Sequence, residues 1–186
     1  ACGGLHFTIA ADNSKLQFCP LQFLDSKSDH AWAQEWLETI LFLNGIEIGP
    51  GERIKITQTL NLMAQNKENR RISDFVGLID VPRIKECMQA YTIDGPMGEL
   101  LDAEEDGLSL SPFTVFETEE LMNLGEKWLL PILLYLFRRI EMMLKGQPAW
   151  IFLDEAWIML GHPVFREKIR EWFKVNRKKN CGIFMA

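Results

Sequence analysis

Apolar positions recur along this chain in two rhythms. Between residues 28 and 92 the period is helical. Ser28 can cap a helix in which Ala31, Trp32, Trp36, Leu37, Ile40 and Leu41 form one stripe, and Asn44-Gly45 stops it. Pro50 suits the first turn of a second helix carrying Ile56, Leu60 and Met63. Ser73-Asp74 and Pro82 open two shorter helices, the last ending near Tyr91. These residues predict an all-helical block.

Outside that block the apolar runs are short and strand-like. Leu5 to Ala10 reads as a strand, followed by a turn at Asp12-Asn13-Ser14. Phe113 to Phe116, Trp150 to Leu153 and Cys181 to Ala186 are three more strands. Helices fit between them, at Pro131 to Lys145 and at Pro163 to Lys179, after a capped helical start over Glu117 to Gly125. From residue 113 onward the order is strand, helix, strand, helix, strand. Such alternation predicts right-handed crossovers and a parallel sheet covered on both faces, and the unbroken apolar run of the third strand agrees. The fold class is therefore α/β, with residues 1–27 and 93–186 forming the core and residues 28–92 a helical insert.

The composition is that of an ordinary globular protein: 186 residues, 47% hydrophobic and 25% charged. A net charge of −6 excludes a generic polyanion binder. Cys2, Cys19, Cys87 and Cys181 show no CxxC spacing and no paired histidines, which argues against a zinc site or a redox dithiol. His6, His30 and His162 are isolated, so no nucleophilic triad can be assembled around them. The tryptophans sit mostly at helical spacing and read as core. No secretory signal pattern is visible at the start of the chain. The most apolar stretch, Trp128 to Phe137, reaches about half of the ~20 residues that span a bilayer. The absence of an initial Met, and an apolar run over Cys181 to Ala186 without a turn, predict a chain cut at both ends inside a domain.

The segment Trp150-Ile-Phe-Leu-Asp-Glu155 carries the most chemistry. An apolar strand ends abruptly in two carboxylates, as a Walker B strand does. Ligands of open α/β sheets bind outside the carboxyl ends of the strands. There Asp154 can hold the Mg²⁺ shell against nucleotide phosphates and Glu155 can act as general base on the attacking water. The plainer alternative is a chain leaving its core through acidic residues. A phosphate-binding loop, G-x-x-x-x-G-K-S/T, is missing, and no Gly-Lys dipeptide occurs. Gly3-Gly4 and Gly95-Pro96-Met97-Gly98 do not substitute for it, because neither is followed by the required Lys.

Two charged regions flank this segment. The helix from Pro163 carries Arg166, Lys168, Arg170, Lys174, Arg177, Lys178 and Lys179 against Glu167 and Glu171, with Phe165, Ile169, Trp172 and Phe173 as its buried stripe. It reads either as a solvated face or as a surface for a neighbouring subunit, a nucleic acid or a phosphate. Asp94 to Glu120 holds nine acids and no Lys or Arg. It reads as a solvated acidic face or a cation loop, although the D-x-D/N-x-D/N-G spacing is absent. The two signs could pair head-to-tail between subunits of a ring. Arg138 and Arg139 are either exposed helix charges or reach a phosphate of the next subunit.

Several stretches together resemble one family. Trp150-Ile-Phe-Leu-Asp-Glu-Ala-Trp157, His162-Pro-Val-Phe165, Ile169-Arg-Glu-Trp172 and Arg177-Lys-Lys-Asn180 are similar to the conjugal transfer ATPases of type IV secretion systems, the TrbE/CagE/VirB type. So are Leu130-Pro131 with Tyr135 to Glu141, Ala1 to Gly4, Phe18-Cys-Pro20, Ala31 to Leu37 and Tyr91 to Gly107. The resemblance covers essentially the whole chain. It implies a partial RecA-like P-loop NTPase core and an ATP- and Mg²⁺-dependent motor for pilus assembly and substrate transfer. It implies a hexamer or dimer, peripheral at the cytoplasmic face of the inner membrane. Its partners would be other secretion components, with DNA a further candidate. By matching motif, Asp154 would be the Walker B acid and metal-linked residue, and Glu155 the catalytic carboxylate. Arg138, Arg139 and Arg177 would be phosphate contacts in trans. The missing P-loop implies that this segment alone neither binds ATP tightly nor hydrolyses it. A docking subunit that no longer hydrolyses, and a DNA-pumping ATPase of the wider superfamily, are the alternatives.

Overall fold

The first long helix starts two residues earlier than its apolar stripe requires, because Ser26 rather than Ser28 caps it. The Ser26 hydroxyl accepts from the Asp29 amide at 3.1 Å and the Asp29 carboxylate accepts from the Ser26 amide at 3.1 Å, a reciprocal capping box. The structure is a computed structural model that describes residues 3–10, 16–154, 160–161 and 163–186, the side chains of Val164 and Phe165 excepted. The Asp12-Asn13-Ser14 turn lies outside the described residues. Two units make up the chain, Ala1–Pro131 and Ile132–Ala186.

In the first unit, β1 (Leu5–Thr8) pairs in parallel with β2 (Thr114–Glu117), with Leu5 opposite Thr114 and Thr8 opposite Glu117. Between them in sequence come α1 (Lys27–Leu43), α2 (Pro50–Ala64), α3 (Ile72–Leu78), α4 (Pro82–Gln89) and the single turn α5 (Gly98–Leu101). Helix α1 packs on α2 and α4, and α3 packs on α2 and α4. Trp36, Leu37, Ile40 and Leu41 of α1 are buried, as are Ile56, Leu60 and Met63 of α2. Ala31 of the expected stripe is exposed and Trp32 half-buried. Gly45, at φ +75°, supplies the left-handed residue that ends α1.

Buried polar side chains brace this unit. The Asp102 carboxylate, 4% exposed, accepts from the Ser73 amide at 2.9 Å, the Ser73 hydroxyl and the Ile93 amide at 2.8 Å. It belongs to the acidic run that reads as solvated, and it is instead a structural tie. Arg70, also 4% exposed, donates to Gln22 O, Asp25 Oδ1 and Ala64 O at 2.6, 3.1 and 3.0 Å. The Arg70 carbonyl accepts the buried Cys19 thiol at 3.4 Å, and burial pushes that thiol up to about 12. Backbone bonds from Phe18 to Leu100 O and from Gly107 to Gln17 O join the segments around Phe18-Cys-Pro20 and Tyr91 to Gly107. Gly95 and Gly98 serve close packing, since a Cβ on either would overlap the backbone at Gln89 and Ala90 or at Thr92.

After the short α6 (Glu119–Met122), α7 runs from Glu126 to Met143. The sequence places its start at Pro131, but Pro131 lies inside the helix. A proline has no N–H for the carbonyl four residues back. Here that carbonyl, Lys127 O, accepts the Tyr91 hydroxyl at 3.0 Å. Tyr91 in turn accepts from Asn44 Nδ2 at 2.9 Å, and Trp36 Nε1 donates to Pro131 O at 2.9 Å. The proline is accommodated because a tyrosine distant in sequence replaces the missing donor.

The second unit contains the rest of α7, β3 (Ala149–Leu153), α8 (Pro163–Lys178) and β4 (Cys181–Met185). Strands β3 and β4 are parallel, with Ala149 opposite Cys181 and Leu153 opposite Met185. Among the described residues, the strands form two separate two-stranded sheets, β1–β2 and β3–β4, rather than one sheet running through residues 113–186. Nor is β3–β4 covered on both faces. Trp150 and Phe152 are 65% and 74% exposed, and the Phe184 ring lies 5.4 and 5.1 Å from theirs. An all-apolar strand carries no alternation, so its sequence cannot reveal a face left open.

Candidate active site

β3 ends at Leu153, and Asp154 follows in an exposed turn at its carboxyl end. The parallel ladder extends past both strand ends: Ala149 N donates to Asn180 O at 3.2 Å, and Ala186 N donates to Leu153 O at 3.1 Å. The backbone entering Asp154 is thus held by the neighbouring strand. Glu155, the partner carboxylate, lies outside the described residues, as do Trp157 and His162.

Helix α8 leads from this edge back to β4. Ile169 and Trp172 are buried, and Trp172 stacks on Phe137 of α7 at 4.2 Å with the planes 19° apart. Phe173 is half-buried. Asn180, at φ +60°, takes the left-handed conformation that turns the chain from α8 into β4. Lys179 Nζ reaches the Glu141 carbonyl at 2.9 Å and its carboxylate at 3.1 Å. Glu141 also faces Arg138 Nη1 at 3.8 Å, so one acid on α7 meets two cations.

This arrangement sorts the three candidate arginines. Arg138 has a side chain only 13% exposed. Arg139 is half-buried, donates to the Tyr135 hydroxyl at 3.2 Å, and has its pKa pushed down by burial. The reading of both as exposed helix charges is corrected by these contacts. Arg177 alone of the three is exposed. The structure brings Arg138, Glu141 and Lys179 together, and leaves Arg177 on the open side of α8.

Sequence reasoning misses one buried group. Asn176 is fully buried on α8, and among the described residues neither its side-chain Nδ2 nor its Oδ1 has a hydrogen-bond partner; Trp172 Nε1, one turn earlier, also lacks one. A signal exists, since Asn176 continues the helical spacing of Ile169, Trp172 and Phe173 with a polar residue.

No family model matches the chain. Individual relatives do. It is 53% identical over 190 residues to a probable conjugal transfer protein TrbE of Sinorhizobium fredii, covering all of this chain and 28% of that protein. It is 54% identical over 179 residues to the conjugal transfer protein TrbE of Rhizobium radiobacter, covering 96% of this chain and 22% of the relative. The type IV secretion system protein virB4 of Bartonella quintana is 22% identical over 190 residues. The chain spans about a quarter of the length of these relatives. Among solved structures, VirB4 of Thermoanaerobacter pseudethanolicus shares the fold at a TM-score of 0.71 and 16% identity, over 98% of this chain and 56% of that one.

Proposed function

We propose that this chain, which belongs to the TrbE/VirB4 family of conjugal transfer proteins, supplies a portion of an ATP-hydrolysing motor for conjugative type IV secretion. One observation carries the reading. Asp154 leaves the carboxyl end of a strand paired in parallel, where ligands of α/β sheets bind. An exposed carboxylate there suits Mg²⁺, which keeps most of its water and takes one or two carboxylates beside nucleotide phosphates. Mg²⁺–ATP, if bound there, would supply the phosphoryl group that passes to water with ADP leaving, and the metal would neutralise charge on the phosphate oxygens. Asp154 would hold the metal shell through water. Glu155 would orient the attacking water and accept its proton. Arg177, the exposed arginine, would reach phosphates bound by a neighbouring copy in a hexamer or dimer. The core would be RecA-like, and the phosphate cradle would come from outside this chain, which has no G-x-x-x-x-G-K-S/T.

In this reading the motor works at the cytoplasmic face of the inner membrane with other secretion components. Among the described residues no helix is long and apolar enough to cross a membrane. The test is ATPase activity of the full-length polypeptide beside its Glu155→Gln variant. Loss of the base should lower turnover by about 10²-fold or more while ATP binding persists. Asp154→Ala should weaken Mg²⁺-dependent binding as well. Near-normal turnover in Glu155→Gln would remove that residue from the role. A folded, full-length wild type without activity would favour the docking subunit.

A further inference from the structure

Charge is divided unequally between the two units. Ala1–Pro131 holds ten Lys and Arg against 21 Asp and Glu, a net −11; Ile132–Ala186 holds ten against five, a net +5. The cations of the second unit are not all neutralised locally. Arg138 and Lys179 meet Glu141, Arg170 meets Glu167 and Lys168 meets Glu171. Lys174, Arg177 and Lys178 are exposed and hold no ion pair among the described residues. Their spacing of three and four places them on one face of α8, away from the buried Ile169, Trp172 and Asn176. The helix dipole accounts for cations in the last turn, Arg177 and Lys178, but not for Lys174 one turn earlier.

We propose that Lys174, Arg177 and Lys178 form a docking surface for a second copy of this chain, whose acid-rich stretch over residues 94–120 supplies the counter-charge. In that stretch Asp94, Glu99, Glu105, Glu119 and Glu120 are exposed and hold no ion pair among the described residues, whereas Asp102 is consumed inside the fold. Charge complementarity selects this occupant. No aromatic side chain interleaves the three cations to stack on a base, whereas the exposed acids of residues 94–120 offer them the opposite charge. A basic surface on one copy and an acidic one on the next make a heterologous contact, which closes into a ring when its rotation permits. The inference rests on the self-association proposed above and assigns it a surface. It also gives Arg177 a place at a subunit boundary.

Sedimentation velocity of the full-length polypeptide tests it. Lys174→Glu/Arg177→Glu/Lys178→Glu should weaken self-association by about tenfold or more at low salt, and its melting temperature should match wild type at protein concentrations where both are monomeric, because all three residues are exposed. The neutral Gln triple variant should lie between it and wild type. Glu105→Lys/Glu119→Lys/Glu120→Lys should be similarly weakened, and mixing the two reversed proteins should restore assembly. Wild-type assembly of the reversed basic variant would overturn the proposal, as would failure of the mixture to recover. Retained assembly with lost binding of a labelled oligonucleotide would assign the stripe to nucleic acid instead. A wild type that stays monomeric would overturn the underlying oligomer reading, which separates that failure from a wrong surface.

Discussion

Residues 1–131 and 132–186 treat their buried polar groups differently. In the first unit most such groups are brackets, although Arg70 Nε has no partner among the described residues: Asp102 accepts three hydrogen bonds, Arg70 donates three, and Tyr91 bridges Asn44 to the carbonyl orphaned by Pro131. In the second, Asn176 and Trp172 Nε1 are buried without partners among the described residues, and Trp150, Phe152 and Phe184 stand exposed on β3–β4. A buried polar group that is satisfied specifies one geometry, and one that is not costs free energy. The first unit thus adds directed bonds to a buried apolar core. The second, which presents Asp154, relies on apolar packing between α7, α8 and β4.

The largest test of that contrast is Asp102→Ala. It strands two amides and a hydroxyl in a buried site, so unfolding free energy should fall by roughly 3 kcal/mol. Urea denaturation measures it. A loss under about 1 kcal/mol would mean that water or a rearranged side chain replaces the carboxylate, and that the bracket is weaker than its geometry. Tyr91→Phe should cost about 1–2 kcal/mol, because Lys127 O has no helical donor to fall back on. Asn176→Leu should behave oppositely. It removes no observed hydrogen bond and relieves an unsatisfied amide, so stability of the full-length protein should hold or rise by about 1 kcal/mol. A clear loss would reveal a partner for Asn176 elsewhere in the protein and break the contrast.

Local signals carry much of this architecture. Pro50 and Pro82 mark helix starts, Gly45 a helix end, and the apolar run before Asp154 a strand whose carboxyl end faces outward. The misassignments come from distant partners. Pro131 reads as a helix start because nothing nearby shows that Tyr91, 40 residues earlier, supplies the missing bond. Asp102 sits in a run of acids, and only the return of Ser73 and Ile93 to its carboxylate distinguishes it from its exposed neighbours. The covering of Arg138 and Arg139 depends on Tyr135, Glu141 and Lys179, of which Lys179 arrives from another helix end. The Ser26 cap is legible, since Asp29 stands three residues after Ser26 and completes the box only with it.

The smallest expected effect concerns surface ion pairs, where the two units can be compared directly. Glu52 in α2 accepts from both Arg83 Nε and Nη2 and from the Gly49 amide at 2.9 Å. Hydrogen bonds from Arg83, then the one from Gly49, hold its carboxyl down at about 2, below the usual 4.5. The folded state therefore binds the Glu52 proton less tightly than the unfolded chain does. Its contribution is fully present above about pH 4.5 and disappears as pH falls toward 2. The melting temperature should decline over that window, and less steeply in Arg83→Gln. On α8 the pair Arg170–Glu167, at 3.0 Å, has side chains 63% and 70% exposed and a single hydrogen bond. Solvent screens it, so Glu167→Gln should leave stability within about 0.5 kcal/mol at neutral pH. Equal acid slopes in wild type and Arg83→Gln would show that the Glu52 bracket adds nothing beyond an ordinary surface pair. A slope that flattens in Arg83→Gln, with Glu167→Gln costing little at neutral pH, would extend the contrast between the units from buried groups to their surfaces.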